Sequence, residues 1–283
     1  MPEGRTWLVT GASRGLGRAF AEVALEAGDS VVATARDTSA LQDLVEQHGD
    51  RAVPMALDVT DRSAVDEVVR AAEQRCGRID VLANNAGYGL AGGVEEVTEE
   101  QARRQVEVNF FGALWCTQAV LPVMRRHGGG HLFQVSSIGG VAAFPNTGLY
   151  HATKWALEGM SESLAQEVAG FGIGVTLVEP GPFRTDWNGD SMTRARPMSE
   201  YDEVLGERRE SMSGAHARTQ PGDPRRAAQA LLKVLDSPEP PLRLLLGERA
   251  CDLAPQVYRQ RLAEWAEWDE VGRNTHFDPA ELQ

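Results

Sequence analysis

Six short apolar runs, each followed by an amphipathic stretch, punctuate the first two thirds of the chain: Thr6–Thr10, Ser30–Ala35, Ala52–Leu57, Ile79–Ala83, His131–Val135 and Gly174–Val178. Their apolar character runs on without in-and-out alternation, the pattern of strands buried on both faces. A seventh run, Leu242–Leu246, follows a helical period near Arg225–Leu235. Strand and helix in alternation predict βα units on a parallel sheet. Right-handed crossovers then give an α/β, doubly wound sheet of the Rossmann type, with ligands at the carboxyl ends of the strands where their order reverses.

No proline- or glycine-rich linker divides the chain before about residue 184 and no internal repeat is visible, so the 283 residues read as a single domain. From Arg184 to Arg226 the composition turns polar and charged with no clear strand, which predicts a substrate lid. Residues 252–270 carry apolar positions at helical spacing, ending in Trp265 and Trp268 on one face. This predicts a C-terminal helix that packs on its own domain, meets another subunit or walls the pocket.

Composition narrows the function classes. Lys plus Arg number 28 against 41 Asp plus Glu, a formal charge of −13 that repels nucleic acid and anionic lipid. The three cysteines, Cys76, Cys116 and Cys251, are too scattered for a disulfide framework or zinc knuckle and fit a reducing cytosol. No apolar run approaches the roughly 20 residues of a membrane helix, and MPEGRTWLVTG has no basic segment leading an apolar signal core. The expected setting is cytoplasmic. Six scattered histidines without an HExxH spacing offer no metal site.

The candidate chemistry sits at strand ends. Thr10-Gly11-Ala12-Ser13-Arg14-Gly15-Leu16-Gly17 follows the first strand and opens a helix, so backbone N–H groups and a helix N-terminus can meet a pyrophosphate. Tyr150-His151-Ala152-Thr153-Lys154 places a phenol and an ammonium four residues apart on one helical face, where the cation can stabilise phenolate. Such a pair is also common on plain surface helices. His151, turned about 100° from that face, reads as structural, and so does Ser136, which alternates away from Ser137.

The spacing of TGASRGLG resembles the short-chain dehydrogenase/reductase family, and further motifs follow in order: Asn84-Asn85-Ala86-Gly87, Asp58-Val59, Ser137 thirteen residues before Tyr150, Tyr150 with Lys154, and Pro180-Gly181. The segments NNAGYGLAGGVEE and EPGPFRTDW look most like the hydroxysteroid and retinoid dehydrogenase-like branch. The resemblance implies that Tyr150 transfers a proton, Ser137 holds the substrate oxygen, Lys154 binds the nicotinamide ribose and supplies the field, and Asn109 fixes a relay water. It implies further that Asp58 and Val59 contact adenine, that Asn84, Ala86 and Gly87 flank the cofactor, and that Pro180, Gly181 and Thr185 lie against the nicotinamide. Asn84 and Gly181 also suit simple turns. Homodimers or homotetramers are common in the family.

Cofactor choice turns on two arginines. In this fold an acid at the end of the second strand bonds the ribose hydroxyls of NAD and repels the 2′-phosphate of NADP. Here Ala35 holds that position, with Arg36 after it and Arg14 in the glycine loop, which predicts NADP; the alternative is Asp37 taking the acid's role after a one-residue shift. Leu90, Phe144, Phe183 and Trp187 are candidates for an apolar substrate pocket, whereas Ile138 and Val141 read as core. The resulting expectation is an NADP-dependent oxidoreductase interconverting a carbonyl and a secondary alcohol on an apolar small molecule. Its rivals are a 3-oxoacyl-thioester reductase, which would need a basic rim, and a non-catalytic dinucleotide sensor.

Overall fold

The computed structural model describes residues 4–189, 191–212 and 219–277. Seven parallel strands form the central sheet: β1 (Thr6–Val9), β2 (Ser30–Ala35), β3 (Ala52–Ala56), β4 (Val81–Asn84), β6 (Gly130–Val135), β7 (Ile173–Pro180) and β9 (Arg243–Leu246), in the order β3-β2-β1-β4-β6-β7-β9. A minor pair joins β5 (Leu90–Ala91) to β8 (Thr193–Arg194). The order reverses between β1 and β4, which opens a crevice at their carboxyl ends.

Each predicted strand is present within two residues of its predicted start and end. The largest displacements, two residues each, are the start of β4 at Val81 and the end of β7 at Pro180. One face of the sheet is covered by α1 (Gly15–Glu26) and α8 (Pro224–Leu235), which bury Phe20, Leu25 and Leu231 with Trp7, Val31 and Phe133. The other carries α3 (Arg62–Cys76), α5 (Gly112–Arg126) and α6 (Gly148–Val168), with Val65, Val120 and Leu164 over Leu8, Leu82 and Leu132. The short α2 (Gln42–His48) leads into β3.

A continuous helical run, α4 (Glu99–Val106), a π-turn over Glu107–Phe111 and α5, spans 28 residues and is long and apolar enough to cross a membrane by length and composition. That differs from the sequence expectation, and the reason is packing: its apolar stripe lies on the sheet and on α3.

Two other regions depart from expectation. The stretch read as a lid contains a turn at Asp186–Asn188, β8, and α7 (Asp202–Ser211) with Leu205 and Met212 buried, while residues 190 and 213–218 of it lie outside the described residues. The C-terminal helix starts earlier than predicted, as α9 (Glu248–Glu267), and is followed by α10 (Asp269–Arg273). Arg261 still ties it to the domain, donating to Val141 O at 2.8 Å and lying over the Trp155 ring, but Trp265 and Trp268 further on are both 63% exposed and do not wall the pocket.

Candidate active site

A cavity of about 760 Å³ opens along the crevice and collects most of the residues singled out above. At its dinucleotide end lie Gly11, Ser13, Arg14, Gly15 and Leu16. Gly11 (φ +66°) and Gly15 (φ +62°) adopt the left-handed backbone that the turn from β1 into α1 requires. No side chain caps the N-terminus of α1 and no acid sits in its first turn, so its free N–H groups are available to an anion.

Gly17 is a correction: it does not line the cavity. A Cβ there would sit 2.3 Å from the Asn85 amide nitrogen and 2.5 Å from the Gly11 carbonyl oxygen, so its role is close packing behind the loop. Asn85, which sequence reasoning passed over, ties that loop down by donating to the carbonyls of Thr10 (3.0 Å) and Gly11 (3.1 Å).

Arg36 and Arg14 are exposed on the cavity lining, and neither forms an ion pair with a described residue. Asp37 does not reach the cavity. Its carboxylate accepts the Ser39 N–H at 2.9 Å, capping the next turn, and that bond holds its pKa below the ordinary value. Asp58 and Val59 line the adenine end, where Asp58 accepts from Thr60 N–H at 3.0 Å and faces Arg104 at 3.3 Å. Ala86 and Gly87 also line it. Asn84 does not: its buried amide donates to Ala113, Thr117 and Gln134, which turns it into the core between β4 and α5.

At the opposite end Ser137, Tyr150 and Lys154 converge from β6 and α6. Ser137 leaves the strand, accepts the Gly139 N–H at 2.9 Å and lines the cavity beside Tyr150. Burial pushes the Tyr150 phenol up to about 12, with the nearby Ser137 hydroxyl pulling the other way. Sequence reasoning expected Lys154 to lower that phenol. Here desolvation dominates, and the ammonium stands 5.8 Å from the phenol ring centroid while donating to Val135 O at 2.7 Å. Lys154 is itself brought down to about 8 by burial, partly countered by Glu158.

Asn109 is buried in the π-turn and does not line the cavity. Its amide donates to Tyr88 O at 3.0 Å and to Thr153 Oγ1 at 3.3 Å, and its carbonyl accepts the Tyr88 N–H at 3.0 Å, so it braces the loop after β4 against α6. Pro180, Gly181 and Thr185 line the middle of the cavity, and the Thr185 hydroxyl accepts the Trp187 N–H at 3.3 Å. His151, expected to turn away, reaches the lining. Its ring accepts the Phe144 N–H at 3.3 Å, and burial brings its pKa down to about 4.

Phe144, Phe183 and Trp187 form the apolar wall, with the Trp187 ring edge-on to Tyr150 at 5.1 Å. Leu90 is a further correction, being 1% exposed within β5 behind the surface. Val141 is core as expected, whereas Ile138 both packs there and lines the cavity. Tyr88, Met212, Arg208 and Arg249 complete the wall. No motif marks the last three, which come from α7, its end and the start of α9.

Behind Lys154 lies a buried acid pair. Glu158 of α6 and Glu179 of β7 each stand 3.5 Å from the Arg243 guanidinium, which also meets Glu162 at 2.8 Å. Burial raises both carboxyls, and repulsion from Glu158 helps push Glu179 up to about 8. Gly140 leaves room for this pair, since a Cβ there would lie 3.0 Å from a Glu158 carboxyl oxygen.

A parallel doubly wound sheet, a glycine loop at a bare helix N-terminus and a buried Ser–Tyr–Lys group define an oxidoreductase of the dinucleotide-binding class. The chain belongs to the short chain dehydrogenase family, matched over residues 5–195. It is 43% identical over 268 residues to oxidoreductase BOA17 of Botryotinia fuckeliana, covering 94% of this chain and 97% of that one. A short-chain dehydrogenase structure from Streptomyces avermitilis matches with 45% identity and a TM-score of 0.90, over 96% of this chain and all (100%) of the other. A Burkholderia cenocepacia short chain dehydrogenase in complex with NADP matches with 29% identity and a TM-score of 0.73, over 94% and 98% of the two chains. Solved relatives of similar identity hold NADP in one case and NADH in another.

Proposed function

We propose that the protein is an NADP(H)-dependent reductase or dehydrogenase interconverting a carbonyl and a secondary alcohol on a small molecule with an apolar body. The observation that carries this reading is one cavity with Ser137, Tyr150 and Lys154 at one end and, at the other, a bare helix N-terminus with two unpaired arginines while Asp37 is turned away. Arg14 and Arg36 suit a 2′-phosphate through charge-assisted bonds, and no carboxylate at the end of β2 opposes it.

The bound nicotinamide would supply or accept the hydride. The chain's own residues orient the carbonyl and manage one proton. Ser137 holds the carbonyl oxygen beside Tyr150, and a phenol raised to about 12 is protonated at neutral pH, ready to donate as the oxygen gains charge. Lys154, pinned to Val135 O, puts its charge next to that phenol and restrains the phenolate left behind. Phe144, Phe183 and Trp187 exclude water from the reacting carbon.

A pooled set of ketones, aldehydes and acyl thioesters incubated with NADPH or NADH, read at the cofactor absorbance, tests the reading. NADPH-linked reduction of apolar ketones is expected. Stoichiometric NADPH binding without turnover of any member would favour a sensor, and a preference for NADH would refute the cofactor assignment.

A further inference from the structure

The wall facing Tyr150 holds two cations that nothing described neutralises. Arg208 from α7 and Arg249 from α9 both line the cavity, in a chain whose formal charge is −13 and whose other cavity-facing base near a carboxylate, Arg104, is paired with Asp58. Neighbouring arginines find acids: Arg209 pairs with Glu96 and Asp202, Arg225 with Glu26, and Arg243 with three glutamates. Among the described residues Arg208 and Arg249 form no ion pair, and the Arg208 Nε is buried without a hydrogen-bond partner.

Both guanidinium-bearing side chains line the same cavity. Burial and the charge of Arg249 together lower the pKa of Arg208, and no carboxylate offsets them. Arg208 lies with its guanidinium carbon 5.7 Å from the Phe144 ring centroid, and it depresses His151, the neighbour of Tyr150. The rings of Phe144 and His151 link it in turn to Tyr150, with centroids 5.5 and 5.8 Å apart along the way. Glu248 and Asp252 line an adjoining recess with Arg249, and neither forms an ion pair with it. Two like charges held together in a partly desolvated wall are unfavourable until an anion joins them.

The geometry points to a carbonyl substrate that bears an anionic group, a carboxylate or a phosphate, seated between Arg208 and Arg249 with its apolar body along Phe144 and Trp187. This inference rests on the carbonyl chemistry proposed above and narrows its substrate class. It also places locally, in a chain of formal charge −13, the kind of basic rim that a 3-oxoacyl-thioester reductase would need. Planar forked donors suit either oxyanion.

The test is calorimetric titration of the NADP-loaded protein with decanoate, decyl phosphate and decanamide, which share a chain and differ in charge. One charge-assisted contact at such a half-buried site is worth about tenfold in affinity. The wild type should therefore bind at least one anion about tenfold or more tighter than the amide, and the tighter of the two anions identifies the headgroup. In Arg208→Gln/Arg249→Gln the anion-to-amide ratio should fall to about one, and Arg208→Lys/Arg249→Lys should recover part of it. Equal binding of amide and anions by the wild type, or a ratio unchanged in the glutamine variant, overturns the inference. If carbonyls are reduced but the ratio is one, this inference alone fails. If the arginines set the ratio but no carbonyl is ever reduced, the carbonyl chemistry fails and the anion subsite stands.

Discussion

Replacing Glu179 by glutamine should make the protein more stable in alkali, because the native state holds a proton there that the unfolded chain gives up. The side chain is 2% exposed and shares the Arg243 guanidinium with Glu158 and Glu162, so two buried carboxyl groups compete for one cation that is itself 33% exposed. Its pKa stands at about 8 in the fold against an ordinary 4.5. Between those values the folded state binds more protons than the unfolded state, so stability falls as pH rises. From pH 6 to the folded pKa of about 8 is two pH units, each worth about 1.4 kcal/mol. Relaxation around Arg243 reduces this to about 2 kcal/mol, or roughly 4 to 8 °C in Tm for a domain of this size. Glu179→Gln keeps the shape and needs no proton, so its advantage over the wild type should grow by that amount between pH 6 and pH 9.

Differential scanning fluorimetry of both proteins across that range measures the difference directly. The comparison cancels other titrations that act in the opposite sense. His131 and His151, both brought down to about 4, increase stability as pH rises to their ordinary 6.5, and Lys154 does so above about 8. Parallel curves for variant and wild type, or a variant that loses stability at pH 9, would refute the reading of Glu179 as protonated in the fold.

Tyr150→Phe should lower turnover by about 10²- to 10⁴-fold with cofactor affinity within a few fold, whereas Lys154→Ala should damage both; steady-state kinetics with cofactor titration separates them. Arg14→Ala/Arg36→Ala should weaken NADPH by about 2 to 4 kcal/mol and leave NADH almost unchanged, which competitive fluorescence titration reads out. Gly17→Ala should destabilise the fold by about 2 kcal/mol or more in urea unfolding, since its Cβ would meet backbone at 2.5 Å.

The sheet was legible because each strand is an apolar run closed by a turn residue, and burial on both faces leaves that pattern unbroken. Ser137, Tyr150 and Lys154 were legible too, since a helix of fixed period and the strand end before it bring them together with few degrees of freedom. Asn84 and Gly17 show the limit of that reasoning. Both sit inside a cofactor motif, yet one amide is consumed by Ala113, Thr117 and Gln134 and the other residue serves as a spacer for Asn85. Arg208, Arg249 and the Glu158–Glu179 pair carry no local signal, because each arises where segments distant in sequence meet. The exposure of Trp265 and Trp268 was hidden for the same reason: helical spacing shows that a face exists and leaves open whether the domain extends far enough to cover it.

The cavity draws its two walls from different stretches of chain. The dinucleotide loop, Ser137, Tyr150, Lys154 and the apolar residues Phe144, Phe183 and Trp187 lie within residues 5–195, the span shared with the family, while Arg208, Met212 and Arg249 lie beyond it. The share of selectivity set by Arg208, Met212 and Arg249 is thus physically detachable from the reaction. Exchanging residues 196–277 for the equivalent segment of a relative would be a transplant of appetite onto an unchanged engine, provided that Leu231 and Leu246 still find their places in the core. Drift or duplication could change what such an enzyme accepts by rewriting one contiguous third of its sequence, leaving the proton-handling residues untouched.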